Sequence, residues 1–105
     1  MPYVTIEVTQ EDIDRALRDR RLRARPDRVC PVARATCRAL GITLGNVRVG
    51  GNTLSIWGWK EYDYLDITAT KKLEQAITNF DRARQMQPAS FRINLKPSPV
   101  QRGKT

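Results

Sequence analysis

Apolar and polar side chains alternate from Tyr3 to Val8 (YVTIEV), and the β-branched content of this run predicts an opening strand. Thr9 then offers an N-cap. Glu11, Asp12 and Asp14 load the following turn with anions, and Val8 and Ile13 stand at the spacing of a hydrophobic staple. A helix therefore begins here, with Ile13, Ala16 and Leu17 as its apolar stripe and Arg18, Arg20 and Arg21 at its cationic end. Its exit falls in residues 20–28, because Arg25 precedes Pro26 and is biased away from helical angles.

A second helix is bracketed by Pro31 in its first turn and Gly41 just past its end. Val29, Ala33, Thr36, Cys37 and Leu40 share one face, which leaves Arg34 and Arg38 as an outward i, i+4 pair. Residues 46–49 and 53–59 flank Gly50-Gly51-Asn52 and read as a hairpin. A further extended piece covers residues 62–67. From Thr70 the stripe Leu73, Ala76, Ile77, Phe80 and Ala83 predicts a third helix that ends before Pro88. Phe91, Ile93 and Leu95 alternate with Arg92, Asn94 and Lys96 as a last, half-buried strand. Pro97 and Pro99 stop it, leaving a frayed tail.

The order β-α-α-β-β-(β)-α-β predicts an α+β fold, with about three helices packed on one face of a mainly antiparallel sheet. With 105 residues the chain makes one domain, burying roughly 65% of the surface its extended form exposes. The domain is expected over residues 1–96, with 97–105 a flexible basic tail. Hydrophobic residues at 40% and charged residues at 29% exclude wholesale disorder. No apolar run approaches the ~18 residues of a membrane span, and no secretory leader is visible, so the expected location is the cytoplasm.

Charge adds what the periodicity does not. The formal total is +8, yet no acid follows Asp81, while Arg82, Arg84, Arg92, Lys96, Arg102 and Lys104 do. A one-sided cationic segment attracts polyanions or acidic protein surfaces without specifying which. A second basic run, RALRDRRLRARPDR, places Arg20, Arg21, Arg23, Arg25 and Arg28 close together, offset by Asp19 and Asp27. Guanidinium forks grip phosphates bidentately, and Arg34 and Arg38 either extend such a patch or keep a helix face wet. Arginine outnumbers lysine 14 to 5, which fits phosphate recognition or simply a GC-rich coding sequence.

Candidate chemistry is sparse. The absence of histidine removes the commonest general base and metal ligand, and no glycine-rich phosphate loop or nucleophile elbow is present. Cys30 and Cys37 are too few for a zinc site. Seven residues apart on a helix they are separated by roughly 10 Å and cannot bridge each other. Cys30, near a helix amino end and Arg28, is the sharpest candidate for a reactive thiol; a small buried residue is the plainer alternative. A carboxylate pair such as Asp63 with Asp66 has an acid/base or metal option, though nothing in its spacing distinguishes it from solvated residues.

Trp57-Gly58-Trp59, with Tyr62 and Tyr64 behind, concentrates the aromatic side chains. On a strand both tryptophans point one way and Leu54 and Ile56 the other. If the aliphatic face meets the core, the rings are exposed for stacking or docking; if a bulge intervenes, they fill the interior.

The segments VTQEDIDRA, CPVARA and FDRARQMQPASF resemble a group of small uncharacterised proteins of bacteriophages and prophages, and arginine-rich usage suits a phage of an actinobacterial host. The resemblance implies a phage accessory product, with no activity or catalytic residues to transfer. The expected function is thus non-enzymatic binding to nucleic acid or a nucleoprotein complex, without cofactor, metal or membrane. Arg20, Arg21, Arg23, Arg25, Arg28, Arg34, Arg38, Trp57, Trp59, Lys96, Arg102 and Lys104 are its candidate contacts. A host-directed protein that inhibits a bacterial enzyme, regulator or defence system, with an acidic host protein as partner and Trp57 and Trp59 as docking residues if exposed, is the alternative. A minor particle component, self-associating as a homodimer through the first or last strand, is the third reading.

Overall fold

Five strands and four α-helices form in the order β1 (Tyr3–Val8), α1 (Gln10–Arg18), α2 (Pro26–Val29), α3 (Pro31–Leu40), β2 (Val47–Val49), β3 (Thr53–Trp59), β4 (Tyr62–Thr68), α4 (Lys71–Ala83) and β5 (Ala89–Asn94). A 3₁₀ turn, Arg20–Leu22, links α1 to α2. The structure is a computed structural model and describes residues 3–60 and 62–95. The tail expected at 97–105 lies outside the described residues. All strand pairings are antiparallel and the class is α+β, but the strands fall into two sheets, β1-β5 and β2-β3-β4.

The first and last strands zip together from Tyr3↔Asn94 to Val8↔Ala89. The middle three make a meander in which β3 is central, its register constant from Thr53↔Thr68 to Trp59↔Tyr62 with the pairing passing over Gly58. The α3 helix is the hub, packing against β1, β2, α1 and α2. Its Val32, Ala33 and Ala35 are all buried, so more of its circumference is enclosed than the one-face stripe predicts. Leu54, Ile56, Leu65, Ile77, Phe80 and Phe91 complete a single core. A radius of gyration of 12.9 Å matches the ~13 Å of one compact domain this long.

Local chemistry sets the helix ends. Thr9 Oγ1 accepts from the Asp12 N–H at 3.2 Å, and Asp12 Oδ2 accepts from the Thr9 N–H at 2.9 Å, closing a capping box. Thr70 caps α4 in the same sense, accepting from the Leu73 N–H. At the other end of α3, Gly41 takes φ +72° and lets the Ile42 N–H reach the Cys37 carbonyl at 3.0 Å, a Schellman closure.

Two expectations about α1 and α3 are corrected. Leu17, placed on the core stripe, is 46% exposed, whereas Asp12, a first-turn anion as expected, is only 4% exposed. The cause is Arg38, whose Nη1 and Nη2 donate to the two Asp12 oxygens at 2.6 and 2.8 Å and whose Nη2 also reaches the Glu7 carbonyl at 2.7 Å. This fork turns α1 so that positions 12, 13 and 16 face α3 and Leu17 does not. The outward Arg34–Arg38 pair is likewise not free, since Arg34 donates to Asp19 and, through Nε at 3.0 Å, to the Val29 carbonyl.

Burial pushes the Asp12 carboxyl up, but the bonds from Arg38 and Thr9 outweigh it and leave it below the usual range. Asp19 is also held down, to about 2, by Arg21 foremost and by Arg34 in addition. Both folded-state values lie under the unfolded value of 3.8. Their contribution is therefore full above that pH and is lost as pH falls toward the folded values. Chemical denaturation at a series of pH values should show stability declining below pH ~4, with Asp19→Asn flattening the decline. At neutral pH, Asp12→Ala should cost about 3 kcal/mol, because it removes a helix cap and two charged bonds together.

Candidate functional site

The arginines of the basic run divide into two sets. Arg21 clasps Asp19 through Nε at 3.0 Å and Nη2 at 2.8 Å, and Asp19 also accepts from the Arg21 N–H at 2.8 Å. Arg28 donates to the Gly45 carbonyl at 2.7 Å and lies 5.5 Å from the Trp57 ring centroid. With Arg34 and Arg38 these side chains are committed to internal contacts. Arg20, Arg23 and Arg25 are exposed and make no side-chain hydrogen bond or ion pair among the described residues.

Position explains this division. The α1 helix stops at Arg18 because Asp19 adopts extended angles (φ −76°, ψ 124°) and caps the 3₁₀ turn instead. Leu22 is buried and pins that turn to the core, so Arg20 and Arg23 project on the solvent side. They meet Arg84, which ends α4 in a left-handed conformation (φ +55°). Arg84 is anchored by Nη1, at 3.3 and 3.4 Å from the Phe80 and Asp81 carbonyls, and its guanidinium lies 5.4 Å from the Phe80 ring. Nε and Nη2 keep their protons for another acceptor.

These three arginines, with Leu17, Asp19 and Leu22, line a cleft of about 400 Å³. One carboxylate faces three guanidinium groups, and that carboxylate is already shared by Arg21 and Arg34. The local balance is cationic, and its donors suit an oxyanion. Sequence reading found Arg20 and Arg23 but missed Arg84 as their partner. Its signal is the basic residue immediately past the α4 stripe.

The tryptophans take an intermediate place. Leu54 and Ile56 are buried, so the aliphatic face of β3 meets the core, yet Trp57 and Trp59 are only half-exposed. Trp57 rests against Tyr64, with ring centroids 5.1 Å apart and planes at 49°, while Arg28 covers it from α2. Trp59 packs partly on the core, with the Lys60 ammonium 4.8 Å from its ring. No register slip occurs, but Gly58 takes φ +69° between the two rings. Beside them the Ser55 hydroxyl donates to Asp66 at 2.8 Å and accepts from Tyr64 Oη at 3.4 Å, a network that braces the outer face of the sheet.

The remaining candidates separate in space. Asp63 and Asp66 lie three apart on β4 and so point to opposite faces; they do not form a carboxylate pair. Asp27, which offsets the basic run, sits in the first turn of α2 and accepts from Arg48 Nε at 2.9 Å. Lys96, Arg102 and Lys104 lie outside the described residues. Among the described residues no group of three or more histidine, cysteine or acidic side chains is placed to hold a metal ion, and no helix is long and apolar enough to cross a membrane.

Protein-family models, curated proteins and solved structures were compared with the chain, and none matches it.

Both cysteines are buried and unbridged. Burial pushes the Cys30 thiol up to about 11, despite bonds from the backbone of Ala33 and Val32, and raises Cys37 as well. The helix end that promised reactivity lies in an apolar interior, where the thiolate is disfavoured. A thiol-reactive chromophore at pH ~8 should modify neither cysteine in the native protein and both on denaturation. Rapid native labelling of Cys30 would contradict this assignment.

Proposed function

We propose that the protein is a non-enzymatic binding protein whose arginine cleft takes the phosphodiester backbone of a nucleic acid. One observation carries the reading: Arg20 and Arg23, from the end of the first helix, converge with Arg84, from the end of the last, on a single opening. Arginines placed only for solubility disperse over the surface. Here Arg20 and Arg23, which make no side-chain hydrogen bond or ion pair among the described residues, stand beside Arg84, which gives only Nη1 to carbonyls, while Arg21, Arg28, Arg34 and Arg38 are spent on carboxylates and carbonyls.

The expected mode is sequence-independent. Guanidinium groups contact phosphate oxygens and release counterions, which fixes position on a strand without reading bases. Trp57, already flanked by Tyr64 and Arg28, is a brace of the sheet in this reading. The protein alternative, docking on an acidic partner, draws on Leu17, the exposed aliphatic residue at the rim of the same cleft.

Fluorescence anisotropy with labelled single- and double-stranded oligonucleotides, from about 25 to about 200 mM salt, tests the reading. Binding should weaken steeply with salt. The triple change Arg20→Ala, Arg23→Ala, Arg84→Ala should flatten the slope of log K against log salt by about 2 to 3 and lower affinity at least ~10-fold at low salt. A charge-matched control, Arg15→Ala, Arg48→Ala, Arg92→Ala, should lose much less. Equal losses in the two variants, or no binding by the wild type at low salt, would refute the proposal. A Leu17→Ala change that abolishes capture of an acidic protein, with oligonucleotide binding absent, would favour the alternative.

A further inference from the structure

A second opening lies on the other flank of α4, and nothing in the nucleic-acid reading uses it. It is a groove of about 760 Å³ between α4 and β5. One wall is the stripe Lys72, Ala76, Asn79 and Ala83, which runs beside the core stripe of the same helix. Ala89 and Phe91 of β5 form the opposite wall, and Met86 closes one end. No residue of β1 lines the groove, so it opens along the edge of β5 that β1 leaves uncovered.

That edge is chemically unfinished. Among the described residues β5 pairs only with β1, in a two-stranded sheet. Along an antiparallel strand, successive residues turn their N–H and C=O groups alternately toward and away from the partner. About half of the β5 backbone groups therefore point outward. Among the described residues, 89–93 form no backbone hydrogen bond beyond the pairing with β1. An uncovered row of donors and acceptors is a template for another strand.

The groove supplies the side-chain half of such a site. Ala76 and Ala83 leave room where larger residues would fill it, and Phe91 and the adaptable Met86 offer an apolar surface. Lys72 holds its ammonium 5.7 Å from the Phe91 ring centroid, at the groove itself. Lys72 and Asn79 are about 10 Å apart along the helix axis, the length of about three strand residues.

We propose that the outer edge of β5 over residues 89–93 and the groove beside α4 form a docking site for an extended acidic peptide, which adds as a strand and seats alternate side chains against α4. Charge selects the occupant. Lys72 is the charged residue of the lining, no carboxylate is among the lining residues, and the chain carries +8 overall. A second copy of the chain would bring a further +8 to the same edge. An acidic strand meets both the open hydrogen bonds and the field.

The probe is a blocked peptide with glutamate, valine and glutamate at alternate positions and threonine between them, so that it presents the same face in either strand direction. Amide chemical shifts on titration should move in β5 and α4 and leave residues 20–23 unmoved. N-methylation of the peptide backbone should weaken binding at least ~10-fold, as should lysine in place of glutamate. Lys72→Glu, an exposed change that leaves the core alone, should reverse the preference between the two peptides. Ala76→Trp should block both. The Arg20→Ala, Arg23→Ala variant should bind the peptide as the wild type does, which separates this test from that of the nucleic-acid cleft. Absent shifts, indifference to N-methylation, shifts centred on the arginine cleft, or concentration-dependent pairing of β5 with a second copy would each overturn the proposal.

Discussion

Two carboxylate–guanidinium latches fix α1 to α3, and the rest of the surface follows from them. Asp12, in the first turn of α1, takes the fork of Arg38, while Asp19, just past the last turn, takes Arg34. The two arginines are one helical turn apart on α3, so a single face of that helix receives both ends of α1. Neither latch lies deep in the interior: the Arg38 side chain is 53% exposed and that of Arg34 15%, against carboxylates at 5% and 9%. In that setting the acids give up most of their hydration while at least one cation keeps some, and paired bonds replace what is lost. Such latches contribute less through net attraction than through the cost of breaking them, since either half alone leaves a desolvated charge.

That constraint also reinterprets the arginine excess. Arg28, Arg34, Arg38 and Arg84 each donate to a backbone carbonyl, and all four do so while also meeting a carboxylate or an aromatic ring. A lysine ammonium, a single point of charge, does not serve two such acceptors in one plane. A small domain with short helices ends many of them in exposed carbonyls and turns, and planar five-donor side chains satisfy several at once. Phosphate recognition and coding bias are thus joined by a third, structural reason for choosing arginine. The side chains left over after that duty, Arg20 and Arg23 above all, define the candidate site.

Most of the fold was legible because its signals are local. The capping box at Thr9, the Pro31 and Gly41 brackets, the Gly50-Gly51-Asn52 turn and the period of Leu73, Ile77 and Phe80 each act over a few residues, and each marks an element that formed. What local pattern does not carry is partnership across the chain. Arg38 finds Asp12 at a separation of 26 residues and Arg34 finds Asp19 at 15, so an arginine on an outward helical position reads as solvated until the facing helix is known. Leu17 failed for the same reason: the rotation of α1 is set by Asp12, a polar residue that a hydrophobic stripe does not count. The tryptophans were ambiguous because strand alternation allows either face of β3 inward. Leu54 and Ile56 took the core, and cross-strand Tyr64 with Arg28 from α2 half-covered what remained.

Arg84 is where the two openings of the surface meet. Its left-handed backbone reverses the direction in which successive side chains leave the end of α4, so that Ala83 and Gln85 line the groove beside β5 while Arg84 lines the arginine cleft. A residue with a Cβ in this conformation costs on the order of 1 kcal/mol, which is why glycine usually fills such positions. Glycine would close the helix equally well and would remove the third guanidinium of the cleft. The Phe80 ring and the Phe80 and Asp81 carbonyls offset the strain by holding the arginine in place. The end of α4 thus serves both openings through consecutive residues, Ala83 and Gln85 in the groove and Arg84 in the cleft.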